Sequence, residues 1–282
     1  MSLQTPDKVR KLQRALGVKA KQEPSYRFYS LYDKGFREDV LAHAYALSRQ
    51  RNGAPGVDGQ RFADVEAYGV KRWLSELGEE LRQERYKPQP VRRVMIPKSG
   101  GVGERPLGIP TIRDRVVQTA VKLVLEPIFE QDFDDAAFGY RPRRGALEAV
   151  QRVHDVLNQG YTDVVDADLS KYFDTIPHGG LMKSLARRIS DGKLLRLIKA
   201  WLKAPIAERD DRGQSRYTGG KTGTRGTPQG GVLSPLLANI YMHRYIKAFR
   251  KHGLDAKYGA VLVNYADDCA PRRREMEAMM AT

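Results

Sequence analysis

The chain has 282 residues, with 49 Lys and Arg against 34 Asp and Glu, so its formal net charge is +15. No apolar run approaches the roughly 18 residues of a membrane helix, the N-terminus lacks an apolar export signal, and the single cysteine, Cys269, excludes an internal disulfide. These features predict a cytoplasmic protein without membrane contact, and favour nucleic acid as its partner over a surface kept basic only for solubility.

The first part of the chain alternates predicted helices with glycine-rich turns. Residues 6–50 are predicted to be helical with a break at Pro24, and residues 61–85 are predicted to be helical again. Between them, Asn52 to Gly59 is rich in turn formers. Val91 to Ile96 is a predicted strand, and the glycine-rich segment after it predicts a hairpin.

Later helices are predicted from their caps and their apolar spacing. The segment Thr111 to Asp114 has the spacing of a capping box and precedes an apolar helical stripe. Residues 180–203 are predicted to form two short helices with a break at Asp191. Ser234 is predicted to be the N-cap of a helix that ends at Gly253.

Two predicted strands carry acidic residues, which strands usually avoid. The strand Asp163 to Leu169 places Asp166 and Asp168 on one face, and the strand Val261 to Tyr265 runs directly into the pair Asp267-Asp268. If the two sites meet, their carboxylates repel one another unless a cation neutralises them, and Mg²⁺ suits carboxylate and phosphate oxygens. Two Mg²⁺ ions about 3.5–4 Å apart would serve nucleotidyl transfer.

Each acidic site also has a purely structural explanation. Adjacent aspartates are common in turns because their side chains stabilise turns, and an aspartate at a strand end often caps a helix or turn. Spacing alone leaves open whether the two sites meet in space. The mixed order of helices and strands, without regular β-α alternation, favours an α+β fold with helices against an antiparallel sheet.

Six segments, taken in order, resemble the reverse transcriptase/maturase proteins that bacterial group II introns encode. These segments are Asn52 to Gly59 (NGAPGVDG), Ile96 to Gln118, Phe138 to Val150, Asp168 to Asp174 (DLSKYFD), Arg225 to Met242 and Tyr265 to Asp268 (YADD). The resemblance covers residues 25–268. Retron and retroviral enzymes are not expected to carry both the first and the fifth of these segments, so they resemble the chain less well.

The resemblance implies the fingers and palm of a right-hand polymerase, with an antiparallel palm sheet backed by helices and with the thumb absent. The implied regions are a basic helical N-terminal extension over residues 1–60, fingers over 61–160 with their hairpin at 91–110, a palm over 161–268 with inserted helices at 180–205, and an aberrant basic tail over 269–282.

The function implied by the resemblance is that of an RNA-directed DNA polymerase. It would extend the 3′-OH of a DNA primer with dNTPs on a group II intron RNA template, supporting intron mobility, with a role in splicing left open. Asp168, Asp267 and Asp268 are expected to be the catalytic carboxylates. Together with the carbonyl of Leu169, they are expected to bind two Mg²⁺ ions.

The resemblance assigns further contacts to other motifs. The expected dNTP contacts are Lys98, Arg105, Phe173, Gln229 and Gly230. The expected nucleic-acid contacts are Arg141, Arg143, Arg144 and Arg225. In this assignment the ring of Phe173 selects deoxynucleotides because it would clash with a ribose 2′-OH. Without the motif, the simpler interpretation is that Phe173 is an aromatic residue of the apolar core.

The chain departs from the family after the YADD motif. Family members usually continue with an apolar return strand, whereas Cys269 to Arg274 follows here, and Pro271 removes a backbone donor. We therefore expect a truncated or frame-disrupted reading frame, in which the return strand is lost and the metal site is loose. The alternative function is an intron-RNA-binding remnant without catalysis, and dimerisation through the N-terminal region stays open.

Overall fold

The computed structural model describes residues 3–97, 103–161, 163–165, 167–209, 215–228, 230–266 and 268–273. The helices in these ranges are α1 (Asp7–Gln22), α2 (Tyr32–Gly35), α3 (Glu38–Arg51), α4 (Phe62–Tyr68), α5 (Val70–Arg82), α6 (Ile112–Phe129), α7 (Ala146–Asn158), α8 (Tyr172–Thr175), α9 (His178–Ala186), α10 (Gly192–Leu202), α11 (Ser234–Lys251) and α12 (Leu254–Tyr258). The strands are β1 (Val91–Pro97), β2 (Glu104–Ile109), β3 (Asp163–Val164), β4 (Ala167–Asp168), β5 (Pro205–Arg209), β6 (Ser215–Gly219), β7 (Val261–Tyr265) and β8 (Asp268–Arg273).

Helix α6 lies at the centre of the apolar core. It buries most of its 18 residues, and α1, α2 and α3 pack against it. The helix begins as predicted, because the hydroxyl of Thr111 accepts a hydrogen bond from the Asp114 amide at 3.1 Å. Burial raises the pKa of Asp114, whose carboxylate accepts hydrogen bonds from the hydroxyls of Tyr86 and Thr111. These bonds attach the start of α6 to the segment that leads into β1.

Asp191 joins the N-terminal part of the chain to α10. One of its carboxylate oxygens accepts hydrogen bonds from the amides of Lys193 and Leu194, at 3.0 and 3.1 Å, so it caps α10 at the predicted break. The other oxygen accepts from the amides of Leu31 and Tyr32, at 2.8 Å each. A single buried carboxylate therefore satisfies donors from two distant segments.

One mixed sheet contains the predicted hairpin. Its strand order is β2-β1-β5-β6, with β1 and β2 antiparallel and Val91 of β1 paired with Ile206 of the parallel strand β5. An ion pair between Arg93 and Glu208, 2.6 Å apart, crosses from β1 to β5. The hairpin of β5 and β6 was not predicted, because Pro205 and the charged residues after it do not have the composition of a strand.

A second sheet is antiparallel and contains both acidic motifs. Strand β8 is its central strand, with β7 on one side and both β3 and β4 on the other. The predicted strand Asp163 to Leu169 is therefore correct in place but is formed in two pieces. Val164 and Asp168 are exposed, as expected at the edge of a sheet.

The expectation that Pro271 prevents a return strand is wrong. Strand β8 continues through Pro271, which is the register partner of Leu262 in β7. On the other side of β8, Val164 pairs with Arg272 and Ala167 with Cys269, so Pro271 faces the gap between β3 and β4. A proline is tolerated at this position because the pairing on one side of β8 is interrupted there.

The start of α11 also differs from its prediction. Ser234 is the first helical residue rather than the cap, and its hydroxyl donates instead to the carbonyl of Pro228 at 2.8 Å. The end is as predicted, because Gly253 follows the helix with a φ of +61°. The α+β fold class is confirmed. No helix among the residues that the structure describes is long and apolar enough to cross a membrane.

Candidate active site

The YADD motif forms a tight turn between β7 and β8. Tyr265 pairs with Asp268, so the connecting loop has two residues, and Ala266 has a φ of +59°. Two-residue hairpin loops favour this left-handed backbone because it matches the twist of the strands. Asn264, which is 1% exposed, donates from Nδ2 to the carbonyl of Ala266 at 3.0 Å. A buried amide therefore supports a conformation that alanine rarely adopts.

Strand β8 also brings the two acidic motifs together. Asp168 is the direct partner of Asp268 in the antiparallel pair of β4 and β8. Direct partners in such a pair lie on the same face of the sheet, with their Cα atoms about 4.5–5.5 Å apart. The side chain of Asp168 is exposed at this position. Spacing in the sequence leaves this meeting open, whereas the backbone register places the two residues side by side.

A loop that follows α6 packs against the YADD turn. The backbone N–H of Phe138 donates to the carbonyl of Asn264 at 2.9 Å. Gly139 lies so close that a Cβ atom added to it would be 2.4 Å from the backbone nitrogen of Ala266. From α11, Asn239 donates to the carbonyl of Gly139 at 2.7 Å. Sequence reasoning assigned Gly139 no role, although it lies within one of the recognised segments.

Phe173 lies at the boundary between the core and this site. Its half-buried ring makes edge-to-face contacts with Tyr140 and Tyr172, with ring centroids 6.0 Å apart in both pairs. Tyr140 is 46% exposed and has a φ of +58°. The sequence gives no sign that Tyr140 is exposed, because an aromatic residue is more often buried.

A glycine-rich segment connects Phe173 with the fingers hairpin. Gly226, at a φ of +90°, donates from its N–H to the carbonyl of Ile176 at 2.9 Å. Gly230 has a φ of +96°, and an added Cβ there would lie 2.4 Å from the carbonyl oxygen of Gly108 in β2. Glycine at position 230 is therefore required by the close approach of two backbones.

The other predicted nucleotide and metal contacts are only partly described. Arg105 is exposed on β2, where it pairs with Ile96 near the end of the hairpin. The carbonyl of Leu169 accepts a hydrogen bond from the amide of Tyr172 at 3.0 Å, which leaves it one lone pair. Four residues that the sequence analysis considered lie outside the described residues: Lys98, Asp166, Gln229 and Asp267.

The structure argues against Arg141 as a nucleic-acid contact. The residue is 8% exposed, and its guanidinium forms an ion pair with Glu130 at 2.7 Å. It also donates to the carbonyls of Asp134 and Ala137, at 2.7 Å each, and lies over the ring of Phe133. Arg141 thus fixes the loop that carries Gly139, and its assignment as a nucleic-acid contact, which the resemblance implied, is corrected.

The three remaining arginines differ in how accessible they are. Arg144 is half-buried, forms an ion pair with Asp135 and lies over the ring of Phe138. Arg143 is exposed with a φ of +60°. Arg225 is exposed beside a bridge to Pro177, and it lines a cavity of about 280 Å³ between the mixed sheet and the segment around Gly226.

Arg115 fixes the predicted turn-rich loop to the start of α6. Its guanidinium donates to the carbonyls of Pro110 at 2.9 Å and Gly53 at 3.0 Å, and also to that of Ala54. Burial lowers the pKa of Arg115. The loop, α6 and Gly230 together line a cavity of about 370 Å³. A buried guanidinium thus shapes one wall of a cavity next to the glycine-rich segment.

We expect Arg115→Lys to lower the free energy of unfolding by about 2–3 kcal/mol, because one ammonium cannot reach three carbonyls that a planar guanidinium satisfies. The matched control is Arg113→Lys, since Arg113 forms a partly exposed ion pair with Glu80 and such a pair is worth about 0–1 kcal/mol. Urea unfolding of both variants measures the difference. Equal losses would contradict the role given to Arg115.

Comparison with known proteins identifies the family. Residues 96–278 match the model of the family described as reverse transcriptase (RNA-dependent DNA polymerase). The chain belongs to this family. The match begins near the end of β1 and contains β2, the loop with Gly139 and both acidic motifs. Membership implies a requirement for divalent metal, a property of the family as a whole.

Two relatives indicate the branch of the reverse transcriptase family. The chain is 38% identical to Protein YkfC of Escherichia coli (strain K12) over 255 residues, which is 88% of this chain and 64% of YkfC. It is 36% identical over 220 residues to the group II intron-encoded protein LtrA of Lactococcus lactis subsp. cremoris, covering 78% of this chain and 35% of LtrA. The similarity to LtrA confirms the resemblance to group II intron proteins, and the chain spans less than two thirds of either relative.

Solved structures of two complexes are similar to this reverse transcriptase chain at lower identity. A chain of a partial Cas6-RT-Cas1–Cas2 complex has 20% identity and a TM-score of 0.48, covering 88% of this chain and 39% of that one. Telomerase from Candida albicans has 13% identity and a TM-score of 0.49, covering 73% of this chain and 42% of that one.

The residues that the structure describes at this site are compatible with a divalent cation, and the evidence for this is the register of β4 against β8. No three His, Cys, Asp or Glu side chains come together among the residues that the structure describes. The expected ligand set of this reverse transcriptase also draws on Asp267, which lies outside them. What is observed is an exposed aspartate at position 168 beside the first residue of β8. Oxygen ligands of this type suit Mg²⁺.

Proposed function

We propose that this chain is the polymerase portion of a group II intron reverse transcriptase, which extends a DNA primer with dNTPs on an RNA template. The observation that carries the proposal is the pairing of Asp168 with Asp268, which joins the two acidic motifs across β4 and β8. Neither motif alone is specific, since each has a structural explanation. Their convergence on an exposed strand edge of a +15 chain supports nucleotidyl transfer.

The proposed metal ligands are Asp168, Asp267, Asp268 and the free lone pair of the Leu169 carbonyl. When bound there, two Mg²⁺ ions would supply charge neutralisation for the phosphates and would lower the pKa of the primer hydroxyl. The chain's own contribution is to hold the carboxylates in place. The YADD turn, supported by Asn264 and Gly139, fixes the start of β8 for this purpose.

The proposed nucleotide site lies between the fingers hairpin and Phe173. Arg105 and Lys98 would contact the triphosphate, because guanidinium and ammonium groups bind phosphate oxygens strongly. Gln229 and Gly230 would contact the nucleotide, and the contact of Gly230 with Gly108 supports this by holding the segment against the hairpin. Arg143 and Arg225 are proposed as contacts to template or primer phosphates, since both are exposed.

Primer extension with the full 282-residue chain tests the proposal. The reaction contains an RNA template, an annealed DNA primer, dNTPs and Mg²⁺, and the expected result is a product that requires each component. Omitting Mg²⁺ in the presence of EDTA should remove the product. If RNA binding persists at low salt but no primer is extended under any of these conditions, the chain acts as an RNA-binding protein without catalysis.

Phe173→Ala tests the proposed selection of deoxynucleotides. We expect incorporation of rNTPs relative to dNTPs to rise about 10- to 100-fold, because steric discrimination by one side chain has this magnitude. The ratio of kcat/KM values for the two nucleotide classes measures it. The matched variant Phe173→Tyr keeps the ring and should keep the preference. An unchanged ratio in Phe173→Ala would show that this half-buried ring serves only packing.

A further inference from the structure

A second basic pocket lies away from both acidic motifs. It is a cavity of about 310 Å³ between the C-terminal end of α6, the end of α9 and one face of α11. Ile240, His243, Arg244 and Lys247 line it at the spacing of one helical face. None of its lining residues belongs to the YADD turn, the fingers hairpin or the glycine-rich segment.

The mouth of this pocket, which we call the α9–α11 pocket, is strongly cationic. Arg187, Arg244 and Lys247 are exposed at it, and none of them forms an ion pair with a residue that the structure describes. Arg244 donates one hydrogen bond, to the carbonyl of Gly180 at 3.0 Å. Three cations converge at the mouth and only one lining residue, Asp132, is acidic, so the pocket keeps a net positive charge and attracts an anion.

The other two charged residues of the pocket are already paired. Arg188 is buried and donates to the carbonyls of Ala20 at 2.8 Å and Glu23 at 3.0 Å. Its Nε atom lies 3.1 Å from the carboxylate of Asp132. Burial raises the pKa of Asp132, whereas the charges of Arg188 and Lys247 act to lower it. Asp132 therefore offsets one of the four lysine and arginine charges that line the pocket, and a net positive charge is left.

The interior of the pocket contains a polar atom that lacks a partner. Nδ1 of His243 is buried and has no hydrogen bond, while its ring makes an edge-to-face contact with Phe133 at 6.0 Å. Burial lowers the pKa of His243. The neighbouring cations Lys247, Arg187 and Arg141 lower it further, whereas the carboxylate of Asp134 acts to raise it. In the tautomer with the proton on Nδ1, this atom is a buried donor without an acceptor, which costs free energy.

We propose that the α9–α11 pocket binds a backbone phosphate of single-stranded RNA. Arg187, Arg244 and Lys247 would neutralise the phosphate, and His243 would donate a hydrogen bond to it from within. The same chemistry would accept free phosphate, whereas an acidic peptide is a different class of partner. The net charge of +15 favours a nucleic acid, and RNA is the template of the proposed polymerase. The choice of RNA rests on that proposed function, whereas the test does not require polymerisation, because binding is measured without Mg²⁺ or dNTPs.

The test compares two double variants of the full chain with the wild type. Arg187→Ala/Lys247→Ala removes two cations from the pocket, and Lys71→Ala/Lys199→Ala removes two exposed cations elsewhere. Fluorescence anisotropy with a labelled 12-nucleotide oligouridylate measures affinity over a series of KCl concentrations. We expect the pocket variant to bind about tenfold more weakly and the slope of log K against log[KCl] to fall by about 0.7, the value for the loss of one phosphate contact on a single strand.

Equal losses in the two double variants would overturn the proposal, since they would report total charge rather than a site. A second readout concerns His243, whose ring nitrogens are followed by ¹⁵N NMR. Oligouridylate should shift its Nδ1 resonance in the wild type, and inorganic phosphate should reproduce the shift at higher concentration and compete with RNA. A shift with inorganic phosphate but not with RNA, or displacement only by polyglutamate, would refute RNA as the ligand.

Discussion

Asp168→Asn is expected to reduce primer extension by about 10³-fold, which corresponds to about 4 kcal/mol of transition-state stabilisation. The amide keeps the size of the side chain but removes the negative charge that would hold a divalent cation. Because Asp168 is exposed on an edge strand, the fold should tolerate the change. RNA binding should be unaffected or slightly stronger, since the protein loses one negative charge.

Single-turnover extension and RNA binding, measured side by side, check this expectation. Asp163→Asn is the matched control, because Asp163 lies on β3 of the same sheet edge and pairs with Arg273 rather than with an acidic residue. Asp267→Asn should lose activity as Asp168→Asn does. Extension that survives in either of these variants at the level of Asp163→Asn would refute the assignment of the metal ligands.

The helices of this fold could be predicted because their signals are local. The cap at Thr111, the break at Asp191 and the glycine that ends α11 each depend on a few neighbouring residues, and each is found in the structure. Ser234 shows the limit of this approach. Its hydroxyl can serve a helix cap or a distant carbonyl equally well, and only the position of Pro228 decides between them.

The strands were harder to predict because their partners are distant in sequence. Pro271 is unfavourable in a strand when considered alone, but it is accommodated where the strand across from it is interrupted. The unpredicted hairpin of β5 and β6 similarly depends on β1, to which β5 adds in parallel at Val91. Neither the strand at Pro271 nor the hairpin of β5 and β6 could therefore be predicted from local composition.

The candidate site was predictable in its chemistry and not in its packing. The acidic motifs and the basic charge are visible in the sequence, and the register of β8 then brings Asp168 to Asp268. Arg141 shows that a motif arginine need not be a ligand contact, since its guanidinium is paired with Glu130 and with backbone carbonyls inside the protein. Gly139 was overlooked because its importance depends on the close approach of Ala266, which the sequence does not show.

Gly139→Ala is expected to lower extension activity about 10²-fold while lowering the free energy of unfolding by only about 1–3 kcal/mol. An added methyl group would lie 2.4 Å from the backbone nitrogen of Ala266, so the YADD turn and the loop must separate. A shift of about 1 Å at a site that aligns reacting groups is sufficient for such a loss of rate. The carboxylates themselves are unchanged, so the defect is one of position.

Gly179→Ala provides the matched control for this variant. Nothing lies within 4 Å of a Cβ atom added at Gly179, and the residue is inside α9, where alanine is favoured over glycine. Urea unfolding, RNA binding and single-turnover extension are measured for both variants. RNA binding should persist in Gly139→Ala, because the turn contributes no cation. If Gly139→Ala extends primers as fast as Gly179→Ala, the position of the start of β8 does not depend on the contact between Gly139 and Ala266. The proposed role of Gly139 in supporting the metal site would then be wrong.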